Sequence, residues 1–335
     1  LLPALGGKIE QVLQCYIAHK GIIWHKVVMY TGCKTGRGGT LVKQPVFTGS
    51  GVAIITPFTN EGVDYGALAQ LLEFQLQNGT DAVIVCGTTG EAATMTPEER
   101  SRTIETVVDK VGGRVPVIAG TGSNCTETAI VQSREAEAAG VDGVLVVTPY
   151  YNKATQRGLV RHYQAIADKV TKPVILYNVP SRTGVKCTAE TYAALAQHPN
   201  IAGVKEASGD FALIQRTREL CPEDFYIWSG NDDETAAIML QGGVGVISVA
   251  ANVAPEAMHR LTHACLRGGF VTGGRLQQEL RRLCEALFWE VNPIPVKTAL
   301  ALMGRCREIL RLPLCEMEES NRERLRGVLA EYGLL

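Results

Sequence analysis

From residue 51 onward, short runs rich in valine and isoleucine alternate with longer amphipathic stretches, and the alternation repeats eight times. The runs are Val52 to Thr56, Ala82 to Cys86, Val115 to Ala119, Gly143 to Thr148, Val174 to Asn178, Ile201 to Lys205, Tyr226 to Ser229 and Val244 to Val249. Each is apolar throughout instead of alternating apolar with polar, the pattern of parallel strands buried on both faces. Helical periodicity follows most runs, clearest at Asp64 to Asn78, Pro97 to Val111, Thr126 to Ala139, Gln156 to Val170 and Asp232 to Leu240. Eight such units in about 220 residues suit a closed barrel. The expected fold is therefore α/β, a (β/α)8 TIM barrel over residues 42–268 followed by a small C-terminal helical domain over 269–335. Gly273 to Glu290, Pro295 to Met303 and Ser320 to Glu331 read as its helices. An open doubly wound sheet is the other architecture open to such a pattern, but no Gly-x-Gly-x-x-Gly follows the first strand, where a dinucleotide fold needs it.

Residues 1–41 break the pattern: they have no clear period, carry two of the ten cysteines and contain no serine, which fits neither a secretory signal nor a transit peptide. They read as a non-native or disordered extension. Arg37-Gly38-Gly39 can be encoded by a stretch containing a ribosome-binding AGGAGG, and Val42 by a GTG start codon, so native translation is expected to begin at position 42. Composition narrows function by exclusion. A net charge of -1 with no long basic run gives no footprint for nucleic acid. The cysteines lie scattered, without a Cys-x-x-Cys pair or a Cys/His cluster at ligand spacing, so no metal site is expected and a reducing, cytoplasmic setting suits them. No apolar stretch is long enough for a membrane span.

Placed on a barrel, the unusual polar segments fall just after strands, on the rim where barrel active sites lie. Lys205 closes the apolar run Ile201-Ala202-Gly203-Val204. Partial desolvation there favours the neutral, nucleophilic amine, although a lysine at a strand end is by itself more often merely solvated. Gly87-Thr88-Thr89-Gly90-Glu91 follows the second strand; its glycines permit a tight backbone whose amides can cradle a carboxylate, or simply make a turn. Tyr150-Tyr151 and Tyr177 bring phenols to the same rim, where they can move protons or only pack. Arg182 offers a planar fork to a substrate carboxylate or to a surface acid. Gly230-Asn231-Asp232 could be a helix cap, and Ile247 a wall of the mouth. Together the residues suit imine chemistry. The lysine attacks the ketone of a 2-oxo acid, the imine acts as an electron sink, and loss of a methyl proton gives an enamine nucleophile, with no metal or organic cofactor required.

These segments, with Gly51 to Phe58, Val117 to Gly122, Thr148 to Asn152, Tyr177 to Gly184, Val204-Lys205-Glu206-Ala207, Ser229 to Asp232 and Asn292 to Lys297, resemble the dihydrodipicolinate synthase family, within the N-acetylneuraminate lyase and class I aldolase superfamily. The resemblance runs from about Pro45 to the C-terminus. It implies a lyase that condenses pyruvate with L-aspartate-4-semialdehyde to 4-hydroxy-tetrahydrodipicolinate, on the diaminopimelate route to lysine. It implies that Lys205 forms the imine, that Tyr177, Thr89 and Tyr151 relay protons, that Thr88 lines the pyruvate pocket, that Arg182 gathers the semialdehyde carboxylate, and that Gly230 and Ile247 line the site. It further implies a homodimer at minimum, in most members a dimer of dimers, because Tyr151 reaches the site of a neighbouring subunit. A sister lyase acting on N-acetylneuraminate or 2-keto-3-deoxy sugar acids shares the lysine but not the reason for Arg182; a non-catalytic pyruvate-binding barrel would have no need of the relay hydroxyls. One departure stands out. Asn124 and Tyr150 match the family's lysine-binding positions, but Pro97, Arg100 and Thr128 replace its histidine and carboxylate, so weak or absent inhibition by lysine is expected.

Overall fold

The computed structural model describes residues 42–335, and the expectation for residues 1–41 lies outside them. Eight parallel strands close into a barrel: β1 Gly49–Ala53, β2 Ala82–Val85, β3 Val117–Gly120, β4 Gly143–Val147, β5 Val174–Asn178, β6 Ile201–Glu206, β7 Tyr226–Ser229 and β8 Gly245–Ser248. Each pairs with its sequence neighbours, and β1 pairs with both β2 and β8 to close the ring. A two-residue ribbon, Phe58–Thr59 with Gly62–Val63, precedes the first helix. Besides a single turn at Pro180–Thr183, which carries Arg182, the helices are α1 Tyr65–Gln77, α2 Pro97–Val111, α3 Thr126–Ala138, α4 Gln156–Ala167, α5 Ala189–Ala196, α6 Phe211–Leu220, α7 Thr235–Leu240 and α8 Pro255–Leu266. Beyond the barrel follow α9 Phe270–Ala286, α10 Ile294–Leu302 and α11 Glu319–Glu331. No described helix is long and apolar enough to cross a membrane.

The eight expected strands are present, with shifted ends. The first begins three residues early and ends at Ala53, because the Ile55 amide turns away from the sheet to the Asn252 side chain, 3.1 Å away. The third starts at Val117, since Pro116 has no amide to donate to a ladder. The stretch expected as one helix from Asp232 divides into a 3-10 turn, Asp232–Glu234, and α7. Local chemistry explains the best-anticipated helix: Thr96 and Glu99 cap α2 reciprocally, Pro97 fills its first turn, and Gly112 ends it in the left-handed conformation.

Side chains alternate between two cores. One lies between sheet and helices, and includes Val83, Val117, Val144, Val174 and Val204. The other fills the barrel, with Ala53, Ile84, Ile118, Leu145, Ile175, Trp228 and Ile247. Phe47 stacks on Trp228 with ring centroids 5.5 Å apart, and its carbonyl accepts from the indole N–H at 3.2 Å, which plugs the barrel where the chain enters. The barrel is thus packed, and only its rim is left for chemistry. The helices beyond the barrel are joined to that rim: Gln277 on α9 donates to the Asp232 carbonyl at 2.8 Å and accepts from the Ala236 amide at 3.1 Å.

Candidate active site

Lys205 owes its orientation to one extra residue in β6. Val174 pairs with Ile201, but Ile175 pairs with Gly203, so the register slips by one residue at this point. After the bulge Tyr177 pairs with Lys205 and Asn178 with Glu206. Because side chains alternate along a strand, the slip turns Lys205 inward with Tyr177 and sends Glu206 outward with Asn178. Only glycine permits it: Gly203 has φ +156°, and a Cβ there would lie 1.9 Å from the Tyr226 carbonyl oxygen.

The lysine so placed is 6% exposed, and its Nζ lies 4.3 Å from the centre of the Tyr177 ring. On its other flank β6 pairs Lys205 with Trp228, which is wholly buried. Among the described residues no carboxylate pairs with it and no acceptor takes its protons. Carboxylates stand one step away. Glu206 accepts from the Tyr192 hydroxyl at 2.7 Å, from the Asn178 side chain at 3.0 and 3.2 Å and from the Ser208 amide at 2.9 Å. Burial pushes its carboxyl upward in pKa, while those donors pull it back. Asp232 accepts from the Val249 and Ala250 amides at 3.0 and 2.9 Å, tying the exit of β7 to that of β8. Burial also raises its pKa, against the pull of these amides and of Lys205.

The Thr88-Thr89 turn follows β2, at the same C-terminal end of the strands as Lys205. Glu91 donates its amide to the Thr88 carbonyl at 3.0 Å, while the amides of Thr88 and Thr89 donate to nothing among the described residues. Two adjacent free amides suit an anion. Thr88 is exposed and Thr89 buried, and the Thr89 hydroxyl accepts from the Asn292 side chain at 3.0 Å. Asn292 also reaches the other way: its carbonyl accepts from the exposed Arg182 guanidinium at 3.1 Å. One residue between α9 and α10 therefore links the two groups expected at opposite ends of the substrates. The turn is held from below. Glu91, at φ +53°, is fixed in this conformation, uncommon for residues other than glycine, by the buried Lys297 ammonium and by the Arg311 amide at 3.2 Å.

The remaining expected residues divide. Gly230 donates its amide to the Glu206 carbonyl at 2.7 Å, and Ile247 is buried in the barrel core. Tyr177 is buried at the site, but its phenol makes no hydrogen bond to Thr89 within the chain. Tyr151 stands apart: it is 91% exposed, at φ +69°, beside Asn152, whose side chain donates to the Asn124 carbonyl at 2.9 Å. Arg100 donates to the Gly120 carbonyl at 2.9 Å and to Gln132 at 3.2 Å, so the expected cation near Asn124 is already engaged. Sequence reasoning assigned no role to Glu206, Asn292 or Lys297, and to Asp232 only that of a helix cap. All four lie in the segments that carry the resemblance, but only the fold shows what they touch.

The Dihydrodipicolinate synthetase family matches residues 46–332. The 4-hydroxy-tetrahydrodipicolinate synthase of Thermoanaerobacter sp. (strain X514) is 53% identical over 292 residues, covering 87% of this chain and 98% of the relative. The solved dihydrodipicolinate synthase of Thermotoga maritima shares 46% identity with a TM-score of 0.85, covering 87% of this chain and 100% of that one. A solved dihydrodipicolinate synthase described as the first monomeric variant is equally similar, with 46% identity, a TM-score of 0.85 and 87% and 98% coverage.

Proposed function

The chain belongs to the dihydrodipicolinate synthetase family, and on that premise we propose that Lys205 joins pyruvate to L-aspartate-4-semialdehyde through a Schiff base. The enzyme is a lyase of the class I aldolase type with 4-hydroxy-tetrahydrodipicolinate synthase activity. The observation that carries the residue assignment is a buried amine at the barrel rim with an aromatic face beside it and no anion paired to it. An amine with no ion-pair partner at the rim has its nitrogen free to meet a ketone, and the amine nitrogen is the nucleophile of imine chemistry.

The Lys205 nitrogen adds to the pyruvate ketone and expels water, leaving a protonated imine. The pyruvate carboxylate lies on the free amides of Thr88 and Thr89, which orient it without another charged residue. A methyl proton then passes to the relay that we assign to Tyr177 and Thr89, leaving the enamine. The enamine carbon then attacks the aldehyde carbon of the semialdehyde, whose oxygen takes up a proton. Finally the amine of the second substrate displaces Lys205 from the imine carbon, which closes the six-membered ring and regenerates the enzyme. Arg182, pinned by the Asn292 carbonyl but with the rest of its fork open, holds the carboxylate of the semialdehyde.

Tyr151 completes the relay in a second copy of the chain. A large aromatic side chain held in left-handed backbone and almost wholly exposed is placed to leave its own surface. The working assembly is then at least a homodimer, acting in the cytoplasm, and the homotetramer is its extended form. The test combines trapping with competition. Borohydride with pyruvate is expected to fix a reduced adduct on Lys205. With Arg182→Ala, KM for the semialdehyde is expected to rise about 10- to 100-fold, as for one lost charged hydrogen-bonding group. Turnover of N-acetylmannosamine in place of the semialdehyde would move the protein to the sister lyases, and absence of the adduct would remove the imine altogether.

A further inference from the structure

The opposite end of the barrel carries a constellation the condensation does not use. Asp81 immediately precedes β2, and α8 carries His259 and His263 four residues apart, on one face of the helix. The His263 Nε2 lies 3.0 and 3.2 Å from the two Asp81 oxygens, and the His259 Nδ1 lies 3.3 Å from Oδ2. The imidazoles stack with centroids 3.9 Å apart and planes 30° from parallel, so both aim at one carboxylate. All three side chains are partly exposed.

The backbone prepares this site. The Ser50 amide donates to Asp81 Oδ2 at 2.8 Å and fixes the carboxylate at the first turn of β1. Gly49, at φ +97°, leaves the room: a Cβ there would lie 2.2 Å from Asp81 Oδ2 and 3.1 Å from His263 Nε2. These residues begin β1 and precede β2, whereas Lys205 ends β6, so the cluster sits on the far rim, where a barrel carries stability and not catalysis.

Two ring nitrogens and a carboxylate within 4.8 Å of one another form a donor set for a cation. The separations of 3.0 to 3.3 Å match the edge of a coordination polyhedron with bonds of about 2.0–2.1 Å, so an ion could replace the bridging protons with small side-chain movements. Two imidazoles with one carboxylate favour a borderline divalent transition ion over calcium or magnesium, which take oxygen ligands. A plain pair of histidine–aspartate hydrogen bonds would account for either imidazole alone. It gives no reason for two stacked rings to converge on a carboxylate that a backbone amide already holds.

We propose that Asp81, His259 and His263 form a binding site for a divalent transition-metal ion, zinc foremost, that clamps the closing helix α8 to the β1–β2 seam. Three protein ligands leave one tetrahedral position to water. An ion bound only by the folded chain raises its melting temperature with the logarithm of free metal.

The experiment uses the full chain, stripped with a chelator and titrated with Zn2+ by calorimetry and thermal denaturation, and with Co2+ by absorption. One ion per site is expected, with a rising melting temperature and cobalt ligand-field bands but no sulfur-to-metal charge transfer. His263→Ala and Asp81→Asn should each weaken binding about 10-fold or more. Asp81→Asn keeps an acceptor for the Ser50 amide, which guards against a variant that merely unfolds. Pyruvate trapping on Lys205 should be unchanged in both variants, which keeps this proposal separable from the catalytic one. Absence of saturable binding, binding undiminished in both variants, or a cobalt spectrum with thiolate bands would each overturn it.

Discussion

Two buried lysines, Lys205 and Lys297, differ in what surrounds the charge. Lys297 on α10 is 0% exposed; it pairs with Glu91, donates to the Ile309 carbonyl at 2.8 Å and lies 4.2 Å from the Phe58 ring centre. Burial pushes its pKa down, and Glu91 pulls it back up. Lys205 on β6 is nearly as buried, but it faces the Tyr177 ring and no carboxylate. Burial is therefore common to both, and pairing separates them. Lys297 is bound from two sides, by Glu91 and the Ile309 carbonyl, and fixes the structure, whereas the Lys205 amine has no such partner and is free to meet a substrate.

The largest effect this contrast predicts is on turnover. Lys205→Ala should leave only the uncatalysed rate, with no borohydride-fixed pyruvate adduct by mass spectrometry. The same change should leave the melting temperature close to the parent's, because among the described residues Lys205 has no ion pair or hydrogen bond to lose. A large loss of stability would mean that Lys205 is structural after all, and the distinction between the two lysines would collapse.

Lys297 should behave the other way round. Lys297→Met leaves Glu91 buried without its counter-charge, which is expected to cost about 3–5 kcal/mol in chemical denaturation. Activity should fall with it, since Glu91 holds the left-handed turn that carries the Thr88 and Thr89 amides. Adding Glu91→Gln to Lys297→Met should recover much of that stability, because a neutral pair no longer carries an unpaired charge. If the single variant were as stable as the parent, the pair would contribute nothing, and the turn would need another anchor.

The same contrast explains what the sequence made legible. Strands and most helices follow from local apolar runs and caps, and Lys205, Tyr177, Thr88 and Arg182 could be placed because each closes or follows such a run. Strand ends were less legible, since a run apolar throughout carries no phase: β1 leaves the sheet where Asn252, about 200 residues away, captures the Ile55 amide. The inward turn of Lys205 rests on a bulge at Gly203 that alternation alone does not announce. The Asn292 bridge and the Glu91–Lys297 pair join segments more than 200 residues apart, so no local pattern could have named them. The role given to Tyr151 came from resemblance alone, and in the chain by itself that residue faces outward.

His162 on α4 sharpens the comparison, being, with Lys205, a second buried base without a counter-charge. Its Nδ1 shares a hydrogen bond with the Thr126 hydroxyl at 2.9 Å, and its Nε2 has no partner among the described residues. Burial lowers its pKa from 6.5 to about 4. The folded state therefore holds it neutral where the unfolded chain would be charged. That contribution to stability is complete above about pH 6.5 and is lost as pH falls towards 4, since protons then favour the unfolded chain. At about 1.4 kcal/mol per unit, the loss across this window is on the order of 2–3 kcal/mol. Denaturation midpoints from pH 7.5 to 4.5 should therefore fall more steeply for the parent than for His162→Gln, which carries no titrating group. Parallel slopes would show that His162 is not held neutral. Burial alone would then not hold an unpaired base neutral at this position.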